Sequence, residues 1–352
     1  MLAMKARLMR FMLDVLYYSR IYRLFKPNWS GVGVIFTLHH VLAELEPNPF
    51  HPNSILEITT GFLDATVQQV LAAGYEIVTL DEAQRRLAER DYEQKFVCFT
   101  LDDGYLDNYQ NAFPIFKKYG VPFTVYINTG LPDGTALLWW SLLEQVVADQ
   151  DEINVVLNDS EYKLPAKSTA QKYQTFNKLY WLLRKMPHAE QYASLDLLFK
   201  KYDLDWRRLC RDSSMSWDMI REMQESGLAT IGAHTVNHYA LSKLSDEEIR
   251  KEASESRKII LGRLGYDPKH FSYPYGDAAS AADREFKIIE DLGFATATTT
   301  RKGVIFPQHD EHLFALPRVS LNGSYQMQRY VTLFLSGAPF AFWRRFRRLD
   351  VS

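Results

Sequence analysis

Residues 96–104, Phe-Val-Cys-Phe-Thr-Leu-Asp-Asp-Gly, constrain the fold more than any other stretch of the chain. The run from Phe96 to Leu101 lacks regular polar alternation, as suits a parallel strand covered on both faces. It ends in two adjacent carboxylates and a glycine that lets the backbone turn sharply. In barrels and open α/β sheets, sites are built where strands leave the sheet at their carboxyl ends. Neighbouring acids at such a place repel unless compensated. A metal ion is the usual compensation, one carboxylate ligating while the other is free as a base. The alternative is that Asp102 and Asp103 only start a turn and cap the next helix.

The flanking segments carry a βα rhythm. Residues 31–40 read as the first strand, 61–73 as a helix and 75–80 as a strand, with Asp81 capping a helix to about 90. After the central strand, Asp107 or Asn108 starts a helix that ends at Gly120, and 122–128 is another strand. This alternation implies a mainly parallel sheet or barrel. It breaks near Leu137 and resumes near Ser216. The polar, helix-like segment between, opened by Trp139-Trp140, reads as an insertion over one side of the site. Ser216 then caps a helix to 227, and the short strand 228–231 runs into Gly232-Ala233-His234. A helix spans 246 to about 264 and another 281–291, among strands at 270–273, 294–297 and 314–319.

The formal charge of −2 argues against nucleic acid as the main partner. That charge is unevenly spread. Residues 1–26 carry +5 and 331–352 carry +3, which leaves −10 on the remainder. Leu8, Phe11, Met12, Val15 and Leu16 fall at helical spacing, and Phe334, Phe340, Phe342, Trp343 and Phe346 accompany Arg344, Arg345, Arg347 and Arg348. Such ends either lie on an anionic membrane surface or pack on the body with their charges in water. The chain thus divides into a basic amphipathic helix at 1–30, a catalytic-type domain at 31–320 with an insertion at about 137–215, and a basic aromatic helix at 321–352.

No run of about 18 apolar residues reads as a transmembrane helix. Asp14, Arg20 and Arg23 interrupt the N-terminal apolar run and no small-residue cleavage site follows, so this segment is expected to stay on the protein. Cys98 and Cys210 fit no paired or zinc-ribbon spacing, which points to free thiols in a reducing compartment. A cytoplasmic location follows, with peripheral contact to the inner membrane face as an option.

Two further stretches carry chemistry. His234-Thr235-Val236-Asn237-His238 follows a short strand, and two histidines four apart on one face of a helical turn can reach one metal. Taken alone, the spacing also fits two surface histidines. With one carboxylate they make a three-ligand catalytic zinc site with open positions for water. Phe271-Ser272-Tyr273-Pro274-Tyr275-Gly276 is a strand entering a turn. Pro274 has no N–H, but those of Tyr275 and Gly276 can face an oxyanion.

In this order the three pieces resemble the polysaccharide deacetylase family, the NodB-homology domain of carbohydrate esterase family 4. Thr100–Gly104 matches its first motif, His234–His238 its H-[ST]-x-x-H motif, and Ser272–Gly276 its R-x-P-Y-G region with Ser272 in the arginine's place. The resemblance spans about 31 to 320. It implies a distorted, often incomplete (β/α) barrel that removes acyl groups, usually acetyl, from amino sugars with a divalent metal, zinc foremost. It also implies Asp103, His234 and His238 as ligands, Asp102 as the general base, and the Tyr275 N–H as an oxyanion donor.

Two departures stand out. The arginine that orients the base in many members is absent at Ser272. The late Leu-x-His, whose histidine is the family's general acid, has its nearest match in Leu316-Pro317-Arg318, and an arginine cannot deliver a proton at neutral pH. His39 and His40 end the first strand, where alternation sends them to opposite faces, so one can face the site. Arg318 is a candidate to contact Asp102 or an anionic substrate group. Tyr105, Trp139 and Trp140 either stack on sugar rings or pack in the core. The substrate implied is an N-acylated amino sugar in a polysaccharide or lipid-linked saccharide. The rivals are a deformylase or other non-peptide C–N hydrolase of a small sugar, and an inactive carbohydrate-binding pseudoenzyme. The sequence leaves the oligomeric state open.

Overall fold

The computed structural model describes residues 2–45, 47–157 and 160–351. Its central sheet has eight parallel strands: β1 Gly33–Leu38, β2 Glu76–Ile77, β3 Phe96–Leu101, β4 Phe123–Ile127, β5 Ala229–Ala233, β6 His270–Ser272, β7 Thr296–Lys302 and β8 Leu316–Ser320. Seven of them close into a barrel. Closure occurs at β1, which pairs with β3 along its whole length and with β8 through Phe36 opposite Val319. β2 pairs only with Phe96 and Val97, outside the ring. The barrel is therefore closed, the (β/α) barrel that the family resemblance implied. It is distorted where the β7–β8 register shifts between Thr298 and Lys302.

Every residue of β1 and β3 is buried, which is why these strands are near-continuous apolar runs. Because the strands are parallel, their carboxyl ends share one rim. That rim carries Asp102, His234 and the residues after Ser272 and Ser320.

Local chemistry sets the helices that cover the barrel. Ser245 and Glu248 form a capping box that starts Asp246–Leu264, and Gly265 ends that helix at φ +66°. Thr79, not Asp81, caps Leu80–Glu89, leaving only Glu76–Ile77 as strand. Residues 108–112 form a π-helical turn before Phe113–Tyr119, because Pro114 lacks the N–H that a regular α-turn uses there.

The segment between β4 and the helix Trp217–Glu225 folds around its own apolar cluster, which includes Leu143, Val147, Ile153, Leu179, Leu195 and Phe199. It is not all helical. An antiparallel hairpin, Glu152–Leu157 with Ser160–Pro165, interrupts it, and Ile153, Val155 and Leu157 alternate inward with the period of a strand.

The two ends of the chain pack together beside the barrel. Helices Leu2–Tyr18 and Tyr22–Trp29 meet Gln328–Ser336 and Ala338–Trp343, two short helices in place of one C-terminal helix. Leu13, Tyr22, Tyr330, Phe334 and Phe340 join the main core. Asp14 pairs with Arg329 at 2.6 Å, and the Phe25 and Phe342 rings lie 4.9 Å apart. Among the described residues, no helix is long and apolar enough to cross a membrane.

Candidate active site

The turn after β3 places Asp102 and Asp103 on the rim, both 2% exposed. Asp103 adopts φ +74°, followed by Gly104 at +85°, which turns the two carboxylates apart. Asp102 meets Arg318 of β8 in a bidentate pair, with Nη1 donating to Oδ1 at 2.7 Å and Nη2 to Oδ2 at 2.6 Å. The guanidinium also donates to the Thr299 carbonyl at 2.8 Å, Thr100 Oγ1 at 3.1 Å and Ser272 Oγ at 3.1 Å. All five of its N–H groups are thereby used. Burial alone would raise the Asp102 pKa, but the charge and hydrogen bonds of Arg318 outweigh it, so Asp102 is held below the ordinary carboxylate value and stays ionised. Ser272, standing where the family motif has arginine, is small enough to admit this side chain and accepts one of its protons.

Asp103 turns to the histidines. His234 Nε2 lies 3.3 Å and His238 Nε2 3.1 Å from Asp103 Oδ1. The ligand atoms of all three lie within 4.8 Å of one another, and all three residues are buried. His234 Nδ1 is 2.7 Å from the Ser272 carbonyl, so that nitrogen carries the proton and Nε2 presents a lone pair. A lone pair facing a buried carboxylate at 3.3 Å is repulsive unless a proton, favoured by the raised His234 pKa, or a metal ion lies between them. Two imidazoles and one carboxylate are the donor set of a catalytic divalent site, so these residues fit a metal.

The histidine turn is not helical, which corrects the reading from spacing. Thr235 and His238 adopt left-handed φ of +62° and +56°. Each such residue costs roughly 1–3 kcal/mol and persists only where its surroundings over-determine it. Here Glu252, from the helix Asp246–Leu264, accepts from the N–H groups of Val236 at 3.0 Å and Asn237 at 2.9 Å, and from the Asn237 amide at 2.6 Å. Thr235 Oγ1 accepts from the His238 N–H at 3.0 Å. With its amide oriented to suit both neighbours, Asn128 donates to the Val236 carbonyl at 2.9 Å and accepts from the His238 N–H at 2.8 Å. Sequence reasoning missed Glu252 and Asn128. An acid eighteen residues after a histidine carries no local signal, although Glu252 stands on the buried face of its helix with Ile249, Ala253 and Ile260. Glu252→Gln should weaken Zn²⁺ binding by about 10–100-fold, less than His234→Ala, which removes a ligand. Competition with a chromophoric chelator measures both. Unchanged affinity in Glu252→Gln would show that the turn holds itself.

Tyr275 also has a left-handed φ, +63°. Its carbonyl accepts from Thr300 Oγ1 at 2.7 Å, while its N–H donates to no described residue. Its ring stands 4.9 Å from that of His238, and the Arg184 guanidinium of the insertion lies 3.6 Å from the ring's centroid. Trp139 Nε1 donates to the Tyr275 hydroxyl at 3.0 Å, and the Trp140 ring is 5.0 Å from His238. Trp139 and Trp140 are 2% and 6% exposed, and Tyr105 is 1% exposed. These buried rings wall the site.

His39 and His40 part company as strand alternation requires. His40 Nδ1 contacts Asp107 Oδ2 at 2.6 Å, and its ring stacks on Tyr105 at 3.6 Å. Its Nδ1 is thus engaged with Asp107, away from the metal-type cluster. The half-buried His39 ring has no hydrogen-bond partner among the described residues and lies within the field of Asp103, Asp102 and Arg318. Burial foremost lowers its pKa.

Comparison with known proteins agrees with this geometry. The family model described as Polysaccharide deacetylase matches residues 89–297, more than half of the chain. The chain belongs to the polysaccharide deacetylase family. A Bacillus subtilis protein carrying that family name, YxkH, is 22% identical over 250 residues, 71% of this chain and 60% of its own. The chain thus spans 60% of the length of that curated relative. Among solved structures, the deacetylase PplD of Streptococcus pyogenes in complex with acetate superposes with a TM-score of 0.56 at 17% identity, covering 86% of this chain and 97% of the other. IcaB from Ammonifex degensii gives 0.54 at 19% identity, with 86% and 97% covered. At these identities the two structures speak for the shared fold.

Proposed function

We propose that the chain hydrolyses the N-acetyl group of an amino sugar in a polysaccharide or lipid-linked saccharide. The observation that carries this reading is Asp102, a buried carboxylate kept ionised by Arg318 beside the three-donor cluster of Asp103, His234 and His238. A divalent cation held by that cluster would polarise the amide carbonyl and acidify water.

The chain's own groups supply the rest. Asp102 takes the proton of the attacking water, and Arg318 fixes the plane of its carboxylate. The unpartnered Tyr275 N–H donates to the oxygen that gains charge as the tetrahedral centre forms. When the C–N bond breaks, the departing amine needs a proton. His39 is the group with a free ring near the carboxylates, and it replaces the histidine absent at Arg318. The buried walls of Tyr105, Trp139 and Trp140 exclude bulk water and strengthen these interactions.

Acetate release from a panel of N-acetylated glycans, with and without added Zn²⁺, tests the reading. Protein that holds zinc yet releases no acetate from any of them would instead be a carbohydrate-binding protein. His39→Ala should lower kcat by about 10²–10⁴-fold and flatten the limb of the kcat profile that falls as pH rises above the histidine's lowered pKa. His40→Ala should act mainly on stability, by about 1 kcal/mol, because Asp107 Oδ2 loses its partner while Oδ1 keeps the Val41 N–H and the Asn108 amide. A silent His39→Ala would remove it as the proton donor.

A further inference from the structure

An apolar groove of about 500 Å³ lies between the helices Leu2–Tyr18 and Ala338–Trp343. Its walls include Phe11, Met12, Val15, Ile21, Phe342 and Trp343, each at least 44% exposed. Exposed apolar surface gathered in one place and rimmed by polar groups marks an interaction site rather than chance. The volume is that of a ligand cavity, about 300–1,000 Å³. Lys302, Ser320 and Asn322 also line it, at the carboxyl ends of β7 and β8, so the groove reaches the rim that carries Asp102.

Charge selects the occupant. Arg7, Arg10, Arg20, Arg23 and Lys26 on one side are exposed, as are Arg345, Arg347 and Arg348 on the other. The acids of these segments are engaged: Asp14 pairs with Arg329, and Asp350 lies 3.9 Å from Arg344. Lys302 has no carboxylate or hydrogen-bond partner among the described residues, and its ammonium lies 4.2 Å over the Trp343 ring. A second copy of this face would set like charge against like. A soluble anion would leave the apolar walls in water.

We propose that the groove seats one hydrocarbon chain of an anionic membrane lipid, with its phosphate on Lys302. The basic terminal layer then docks the carboxyl rim of the barrel on a bilayer surface. Apolar burial and attraction to anionic headgroups act together in such binding, and tryptophan sits at the headgroup level. The proposal does not depend on the reaction catalysed.

The test uses the full chain with vesicles of phosphatidylcholine alone or mixed with phosphatidylglycerol, and with acyl chains brominated to quench tryptophan. Partition to the mixed vesicles should exceed that to neutral ones by at least about tenfold and fall with added salt. Brominated chains should quench fluorescence, and Trp343→Phe should remove most of that quenching while still binding. Phe11→Glu and Lys302→Gln should each weaken partition severalfold, and both should keep the wild-type thermal midpoint and circular dichroism. Equal binding to neutral vesicles would overturn the proposal. So would anionic binding without quenching that survives Phe11→Glu, which is adsorption by surface charge alone. A solution dimer dissociated by Phe11→Glu would overturn it in favour of a second copy.

Discussion

Arg318→Met is expected to destabilise the protein by about 3–5 kcal/mol and to lower kcat by about 10²–10⁴-fold. Methionine leaves Asp102 charged and buried, with none of the guanidinium's N–H groups to meet it. The pH dependence has a definite sign. In the wild type the net Asp102 pKa is lowered, so the pair contributes stability above the ordinary carboxylate pKa and loses it as pH falls through the folded value. Without Arg318, burial is opposed only by the weaker pull of His234 and His39 and the pKa rises, so the variant's deficit should shrink from about pH 7 to about pH 5. Urea midpoints at both values read this directly. Arg318→Lys should recover little, because an ammonium cannot make the fork. The double change Ser272→Arg with Arg318→Ser should recover part of the activity, since Ser272 already lies 3.1 Å from the guanidinium. Wild-type stability in Arg318→Met would show that another group holds Asp102.

Asp102→Asn carries the other large effect. It should lower kcat by about 10²–10⁴-fold while metal content stays at the wild-type level, because ligation is assigned to Asp103, His234 and His238. The amide also turns an NH₂ toward the Arg318 donors, at a cost of about 1–3 kcal/mol. Loss of metal on elemental analysis would reverse the roles of the two carboxylates.

Where a signal was local, the residues announced the structure. The apolar run into Asp102 and Asp103 is a buried strand ending on the site rim, and Ser245 with Glu248 marks a helix start. His234 and His238 do meet Asp103, but through a left-handed turn rather than a helical one, because an acid outside the motif sets the turn. Arg318 read both as a failed match to a histidine and as a candidate to contact Asp102 or an anionic substrate group, and the contact with Asp102 is present. Its partners belong to β3, β6 and β7, and no window around residue 318 contains them. The hairpin in the insertion was hidden for the opposite reason: its polar residues mask a short alternation of three inward side chains.

Closure of the barrel at β1 and β8 has a consequence for synthesis of the protein. Asp102 and Arg318 are 216 positions apart, while the cation donors are all in place by residue 238. A nascent or prematurely ended chain lacking β8 would carry every ligand, yet its base would have no guanidinium to keep it ionised. Ion capture could thus precede competence, and hydrolytic power would arrive only with the last strand. On the proposed mechanism, a chain that ends before Leu316 would be inactive.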